Sequence, residues 1–358
     1  MSGLGELRRG GVIGILGGGQ LGRMLAVEAA SLGYHCHIYD PDPLAPAKQV
    51  TPAFTTAAYD DAGALDAFAA AVDVVTYEFE NIPLATVRHL AARVPVHPGE
   101  TALAVAQDRL TEKDFVNRVG GETTPYHTVD SVEDGQVAGA KLGFPFVLKT
   151  RRMGYDGKGQ AMIQSADAVA DAVAQLGGTD LIAEGFVNFA RELSIILARG
   201  ADGAVTAYPL VENRHTNHIL DVTIAPADVS DAMAEAARDV ATALVTTLDY
   251  VGVLAVELFE VDGSLLVNEI APRVHNSGHW TMDACALGQF AAHIRAVAGL
   301  PLPAVGVHSR AVMKNLLGDE ITNCADLMAE PGLCFHDYGK AEARPGRKMG
   351  HVTRLYPL

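Results

Sequence analysis

The chain has 358 residues, 49% of them apolar and 20% charged, which is enough apolar material for two or three cored domains. Its formal net charge of −16 excludes a general nucleic-acid binder, whose phosphate-facing surface must be basic. A local cationic pocket for a nucleotide stays open. The four cysteines, Cys36, Cys285, Cys324 and Cys334, form no CxxC pair and read as small buried hydrophobes in a reducing compartment. Arg8-Arg9 mimics a twin-arginine signal, but the apolar run behind it is short and is broken by Gln20 and Arg23. No run of about eighteen apolar residues is present. The expectation is a cytoplasmic protein.

Residues 12–16 predict a buried strand, Gly17-Gly18-Gly19-Gln20-Leu21-Gly22 a glycine turn, and residues 23–32 a helix. A second strand, 34–39, ends at Asp40. The spacing is GxGxxG, whose mechanism is anion binding by backbone N–H groups at a helix N-terminus. By itself it suits a dinucleotide-dependent dehydrogenase as well as other α/β folds. A strand at 72–77 delivers Glu78, Phe79, Glu80 and Asn81 to the edge where parallel sheets bind ligands. Asn81 before Pro83 reads equally as a helix cap. With a short strand at 94–97, the first part of the chain alternates strand and helix, as in a doubly wound domain.

Residues 107–119 predict a charged helix with Glu112 and Asp114 in solvent. The apolar strand 144–149 ends in Lys149, a point charge suited to phosphates. The segment from Thr150 to Gln160 carries Gly154, Gly157 and Gly159 and predicts a flexible hairpin with exposed N–H groups. Its order of Gly, Lys and Ser/Thr is not that of a Walker A loop. His215 sits in a polar segment between strands. Residues 230–248 and 280–298 predict amphipathic helices.

The strand 252–259 holds one acid, Glu257, and a turn at Val261-Asp262-Gly263-Ser264 returns the chain into Leu265–Ile270, which holds Asn268 and Glu269. Both carboxylates are expected to point the same way. Two like charges so placed repel unless a divalent cation sits between them. Hard Mg²⁺ takes carboxylate and phosphate oxygens, so the pair points to a nucleoside triphosphate. Zinc is disfavoured, because His275 and His279 lack a third soft ligand nearby. Pro272 ends the strand, and Arg273, His275, Asn276, Ser277 and His279 crowd the loop behind it. From Pro301 a tail predicts strands at 307–316 and 334–338. A basic cluster follows, with Lys340, Arg347 and Lys348 beside glycines, an anion site in an acidic chain.

The run E-L-F followed by N-E-I-A-P-R-x-H-N-S-G-H resembles the magnesium and substrate segment of the ATP-grasp ligases. Within them it is most similar to the 5-(carboxyamino)imidazole ribonucleotide synthases of purine biosynthesis. Val274 stands where that family usually has proline. The resemblance implies an α/β ATP-grasp fold with an N-terminal Rossmann-like, doubly wound domain at 1–106 and an ATP-grasp domain at 107–300. The latter has small and large subdomains, the lid spanning about 122–184. A small β-rich C-terminal domain follows at 301–358.

The resemblance further implies ATP at Arg109, Lys149, the loop Gly154-Tyr155-Asp156-Gly157-Lys158-Gly159-Gln160, and the adenine hinge Glu184-Gly185-Phe186-Val187. Glu192 is expected on the ribose hydroxyls, with His215, Asn268 and Glu269 completing the nucleotide site. Magnesium falls to Glu257 and Glu269. The ribonucleotide falls to Gln20, Leu21, Glu78, Asn81, Arg273, His275, Asn276, Ser277, Lys340 and Arg347. Asp156 is the implied base for the substrate amine, Arg273 and His275 hold carboxyphosphate, and Lys340 joins the catalytic groups. The implied reaction consumes ATP, bicarbonate and 5-aminoimidazole ribonucleotide, in a homodimer. The competing readings are another ATP-grasp carboxylase or ligase, a dinucleotide-binding dehydrogenase, and a nucleotide-binding module without chemistry.

Overall fold

The computed structural model describes residues 5–154 and 157–358, so the contacts expected of Tyr155 and Asp156 lie outside the described residues. Four short apolar runs near the N-terminus form a parallel sheet, β1 (Val12–Leu16), β2 (His35–Tyr39), β3 (Ala53–Thr55) and β4 (Val74–Tyr77), in the order β3-β2-β1-β4. Ile13, Ile15, Ile38 and Val75 are fully buried, as a sheet covered on both faces requires. The glycine turn feeds the helix Gln20–Ser31, whose Leu21, Met24, Leu25 and Ala29 form the buried stripe. The strand expected at 94–97 reduces to a single bridge between Val75 and Val96. Pro95 and Pro98 flank it and have no N–H to extend a ladder.

The segment expected as a lid forms an antiparallel sheet of β5 (Tyr126–Val129), β6 (Phe146–Thr150), β7 (Gln160–Ile163) and β8 (Leu181–Gly185), in the order β5-β8-β6-β7. Val129, Phe146, Leu148, Ile163 and Leu181 bury one face with residues of the helices Val132–Leu142 and Val169–Gln175. The large sheet follows, with β9 (Arg191–Arg199), β10 (Val205–Ala207), β11 (Val211–Thr216), β12 (Ile219–Ala225), β13 (Gly252–Val261) and β14 (Ser264–Ala271). The helix Asp231–Thr247, capped by Ser230, packs against it. Asp262 and Gly263 take positive φ, 49° and 80°, which lets the β13–β14 hairpin close in two residues.

The tail strands are β15 (Arg310–Leu317), β16 (Leu333–Asp337) and β17 (Lys348–Tyr356). They do not form a layer of their own. β15 pairs with β12, giving one continuous sheet, β14-β13-β9-β11-β12-β15-β17-β16, with β10 attached to β9. The tail also reaches the first domain. Gln49 donates to the Gly339 carbonyl at 2.7 Å while accepting from Arg23 at 2.7 Å.

Two helix expectations need correction. The helix expected over 280–298 is two, Thr281–Ala284 and Gln289–Val297, because Cys285 turns extended and Gly288 caps the second. The charged helix is Arg109–Arg118, with Asp108 accepting from Leu110 and Thr111 N–H at its start. Asp114 is exposed, but Glu112 is 3% exposed and Lys113 1%. The solvated reading of Glu112 is therefore wrong, since that face of the helix turns toward the site. No helix among the described residues is long and apolar enough to cross a membrane.

Candidate active site

A cleft of about 1110 Å³ opens between the lid, the large sheet and the first domain. Its floor is the β13–β14 hairpin. Glu257 and Glu269 face each other in register, and a bulge follows immediately after Glu257. His275 Nε2 lies 3.1 Å from the Glu257 carboxylate, and Arg109 Nη1 lies 3.2 Å from that of Glu269. Burial pushes the Glu257 carboxyl up, but hydrogen bonding and charge from His275, with His215 and Lys348 beyond, hold it down at about 2. Two opposed carboxylates with the Asn268 amide beside them form an all-oxygen donor set, which fits a hard divalent cation such as Mg²⁺.

Behind His275 runs a chain of buried polar groups. Its Nδ1 meets Ser277 Oγ at 2.9 Å; Ser194 Oγ donates to Ser277 Oγ at 2.8 Å, and Asn213 donates to Ser194 Oγ at 2.9 Å. Ser277 is fully buried, so it orients His275 from behind and does not line the cleft. Gln289 clamps the backbone of His275 on both sides, accepting from its N–H at 2.9 Å and donating to its carbonyl at 2.7 Å. Val274, in the family's proline position, is fully buried in the core, so packing anchors this loop.

On the lid side, Lys149 Nζ bonds Glu184 at 2.8 Å. Glu184 sits inside β8 with strands on both sides, opposite Tyr126 and Val147, and turns its carboxylate into the cleft. Gly185, Phe186 and Val187 continue the wall, where Phe189 stacks on Phe259 at 4.6 Å. Glu192 pairs with His215 at 2.8 Å. Gly154, Gly157, Lys158 and Gln160 line the opening, and Gly159 stands just behind with φ of 71°.

The first domain closes the other end. The Gly18 N–H donates to Asp40 at 2.6 Å; Gly19 N–H and Gly22 N–H donate to the two oxygens of Glu78, the latter at 2.6 Å. A Cβ on Gly17 would stand 2.4 Å from Glu78 Cγ, and one on Gly19 2.5 Å from its Oε1, which is why this turn needs glycine. These N–H groups are spent on the protein's own acids. That is a poor seat for a pyrophosphate, and Asp40 braces the loop where a dinucleotide fold would offer it to ribose. Gln20, Leu21 and Asn81 line the cleft beside the turn. Burial raises the Glu78 carboxyl to about 7 in spite of its two N–H donors.

Arg273 is gripped by both oxygens of Glu80, a cleft residue that the sequence placed at the ligand edge without a role of its own. Lys340 donates to the Lys348 carbonyl at 2.6 Å, and Arg347 donates to the Glu342 carbonyl at 2.9 Å. Burial, aided by the neighbouring charge of Arg347, lowers the Lys340 ammonium to about 8. Lys340 and Arg347 stand behind the wall, while Lys348 from the same basic cluster and Asn276 line it. Lys348 was visible in that cluster but not singled out.

Three family profiles cover the chain. The ribonucleotide synthetase preATP-grasp domain matches residues 11–107, the ATP-grasp domain 114–290, and the phosphoribosylaminoimidazole carboxylase C-terminal domain 311–357. The N5-carboxyaminoimidazole ribonucleotide synthase of Brucella melitensis is 51% identical over 355 residues, covering 98% of each chain. The chain belongs to the N5-carboxyaminoimidazole ribonucleotide synthase family, within the ATP-grasp ligases. The crystal structure of the family's Thermus thermophilus member superposes with a TM-score of 0.91 at 46% identity, covering 96% of this chain and 93% of that one. An Aspergillus clavatus N5-carboxyaminoimidazole synthase, solved with ADP and 5-aminoimidazole ribonucleotide, gives 0.91 at 32% identity, covering 98% and 94%. Family membership sets the dehydrogenase reading aside, in agreement with the occupied glycine turn.

Proposed function

We propose that the chain catalyses the ATP-dependent carboxylation of 5-aminoimidazole ribonucleotide by bicarbonate, giving 5-(carboxyamino)imidazole ribonucleotide, ADP and phosphate. One observation carries the reading: the opposed Glu257–Glu269 pair lies in the same cleft as Arg273, His275 and the first domain's glycine turn. A triphosphate site and a ribonucleotide site so joined support group transfer between them. Relatives solved with ATP or with ADP and the aminoimidazole ribonucleotide support the same ligands here.

Bicarbonate is a poor electrophile. Its oxygen attacks the γ-phosphorus, the bond to ADP breaks, and carboxyphosphate forms. Loss of phosphate then delivers carbon dioxide to the substrate amine, which gives up a proton as the C–N bond forms, in a site closed against water. Magnesium, held by Glu257 and Glu269, would offset phosphate charge and align the transferred group. Lys149 and Arg109 add fixed positive charge at the triphosphate end. Arg273 and His275 hold carboxyphosphate, Arg273 pre-aimed by Glu80 and His275 by Ser277. Gly154 to Gln160 closes over the phosphates, Glu184 to Val187 reads adenine, and Glu192 with His215 takes the ribose. Gln20, Leu21, Glu78 and Asn81 face the ribonucleotide, Lys340 and Arg347 add positive charge to its phosphate from behind the wall, and Asp156 takes the amine proton.

The reading includes domains near residues 1–106, 107–300 and 301–358, a cytoplasmic location and a homodimer, the last open to sedimentation of the purified protein. Phosphate release with each substrate omitted in turn tests the reaction. Release should require ATP and bicarbonate and should rise with the ribonucleotide. Release indifferent to both bicarbonate and the ribonucleotide would sink the assignment.

A further inference from the structure

Arg109, Glu112 and Lys113 stand three and four residues apart on one face of their helix. Arg109 reaches Glu269, but the chemistry proposed above gives the other two no part. Both are buried, and both reach across the cleft wall to the same short stretch of β14. Glu112 Oε1 accepts from the Ile270 N–H at 2.6 Å, and Lys113 Nζ donates to the Asn268 carbonyl at 3.3 Å. These two backbone groups lie immediately before and after Glu269. β14 is an edge of the large sheet, and beyond an isolated bridge of Val267 to Thr123 its outer side is clasped by this helix.

The same lysine also faces the lid. Its Nζ lies 3.5 Å from Glu184 Oε1, and the other oxygen of Glu184 receives Lys149 at 2.8 Å. One buried ammonium thus links the strand that carries Glu269 to the strand that carries Lys149. A buried charge is costly unless specific partners surround it, and an apolar side chain of equal length would fill the space more cheaply.

We infer that Lys113, together with Glu112, is a positioning pair for the ATP and metal half of the site. The pair fixes Glu269 from both sides and sets the distance between the metal carboxylates and the phosphate lysine. This rests on the reading that Lys149 and Glu269 serve ATP and magnesium. Neither side chain touches reacting atoms; both act through groups that do.

Steady-state kinetics on the full chain, varying ATP, Mg²⁺ and the ribonucleotide separately, tests the pair. Lys113→Met should raise the KM for ATP and the Mg²⁺ needed for half-maximal rate by about tenfold, as loss of one charge-assisted hydrogen bond implies. The KM for the ribonucleotide should stay within about twofold, because Lys113 does not reach that end of the cleft. Glu112→Gln keeps an acceptor for Ile270 and should match the wild type in Mg²⁺ dependence; Glu112→Leu should not. Lys149→Met and Glu269→Gln, run in parallel, test the underlying reading, which fails if both keep wild-type ATP kinetics. With that control standing, unchanged ATP and Mg²⁺ constants in Lys113→Met, or an equal rise in all three, overturns the inference. If Lys113→Met does not fold, the Glu112 variants decide, and equal Mg²⁺ dependence in Gln and Leu overturns it.

Discussion

Glu78 and Glu257 line one cleft, the first buried just past a strand end and the second half-buried within a strand, yet their carboxyl groups are shifted in opposite directions. Glu78 sits among backbone N–H groups of the glycine turn, and burial still raises it to about 7. Glu257 sits beside His275 and stays near 2. At Glu78 burial outweighs the backbone N–H donors, whereas at Glu257 hydrogen bonding and charge from His275 outweigh burial and favour the ionised form. The first acid therefore builds a turn that can face a ribonucleotide. The second stays ionised, as the proposed metal role needs.

The comparison breaks most severely at the metal end. Glu269→Gln keeps the shape of the hairpin and removes half of its paired charge. Carboxylation should fall by on the order of a thousandfold while the thermal melt stays near that of the wild type. Product formation close to the wild-type rate would show that the opposed carboxylates do not hold the metal.

A smaller effect should appear at the ribonucleotide end. Arg347 spends one N–H on the Glu342 carbonyl, and the proposed reading gives its remaining donors to the substrate phosphate. Arg347→Ala should raise the KM for the ribonucleotide by about ten- to a hundredfold and leave that for ATP alone. A rise seen only for ATP would move Arg347 out of the substrate site and leave the tail as scaffolding.

The smallest effect concerns stability and sharpens the Glu78 side. A carboxyl raised to about 7 in the folded protein, from about 4.5, binds its proton more tightly folded than unfolded. Its contribution is present below about pH 4.5 and is lost as the pH rises through about 7. Melting temperatures taken across that window should fall more for the wild type than for Glu78→Gln. Parallel curves for the two proteins would mean that Glu78 does not titrate there.

What the sequence made legible was local. The glycine turn, the hairpin turn at Asp262-Gly263 and the acids on either side of it announce themselves within a few residues, and their geometry follows from strand alternation. What it hid depends on partners far along the chain. Glu112 meets Ile270 across 158 residues, Lys113 meets Asn268 across 155, and Glu80 meets Arg273 across 193. A helix face of acids and lysines reads as solvated until the site opposite it is known. Ser277 looked like one more donor in a polar loop, and only the buried Ser194–Asn213 chain shows that it faces inward. His279 likewise looked like a loop donor beside His275, but it is fully buried, bonds Gln289 and does not line the cleft.

The pairing of β12 with β15 has a practical side. Residues 311–357 match a family profile of their own, which invites treating them as a detachable module. A chain shortened to end near residue 300 would bare the outer edge of β12, a flat row of backbone donors and acceptors ready to recruit another strand. Its first symptom would be self-association rather than weak substrate binding. Exchanging tails among relatives would succeed only where the incoming strand matches the register of Val222 with Lys314 and Ala225 with Ala311.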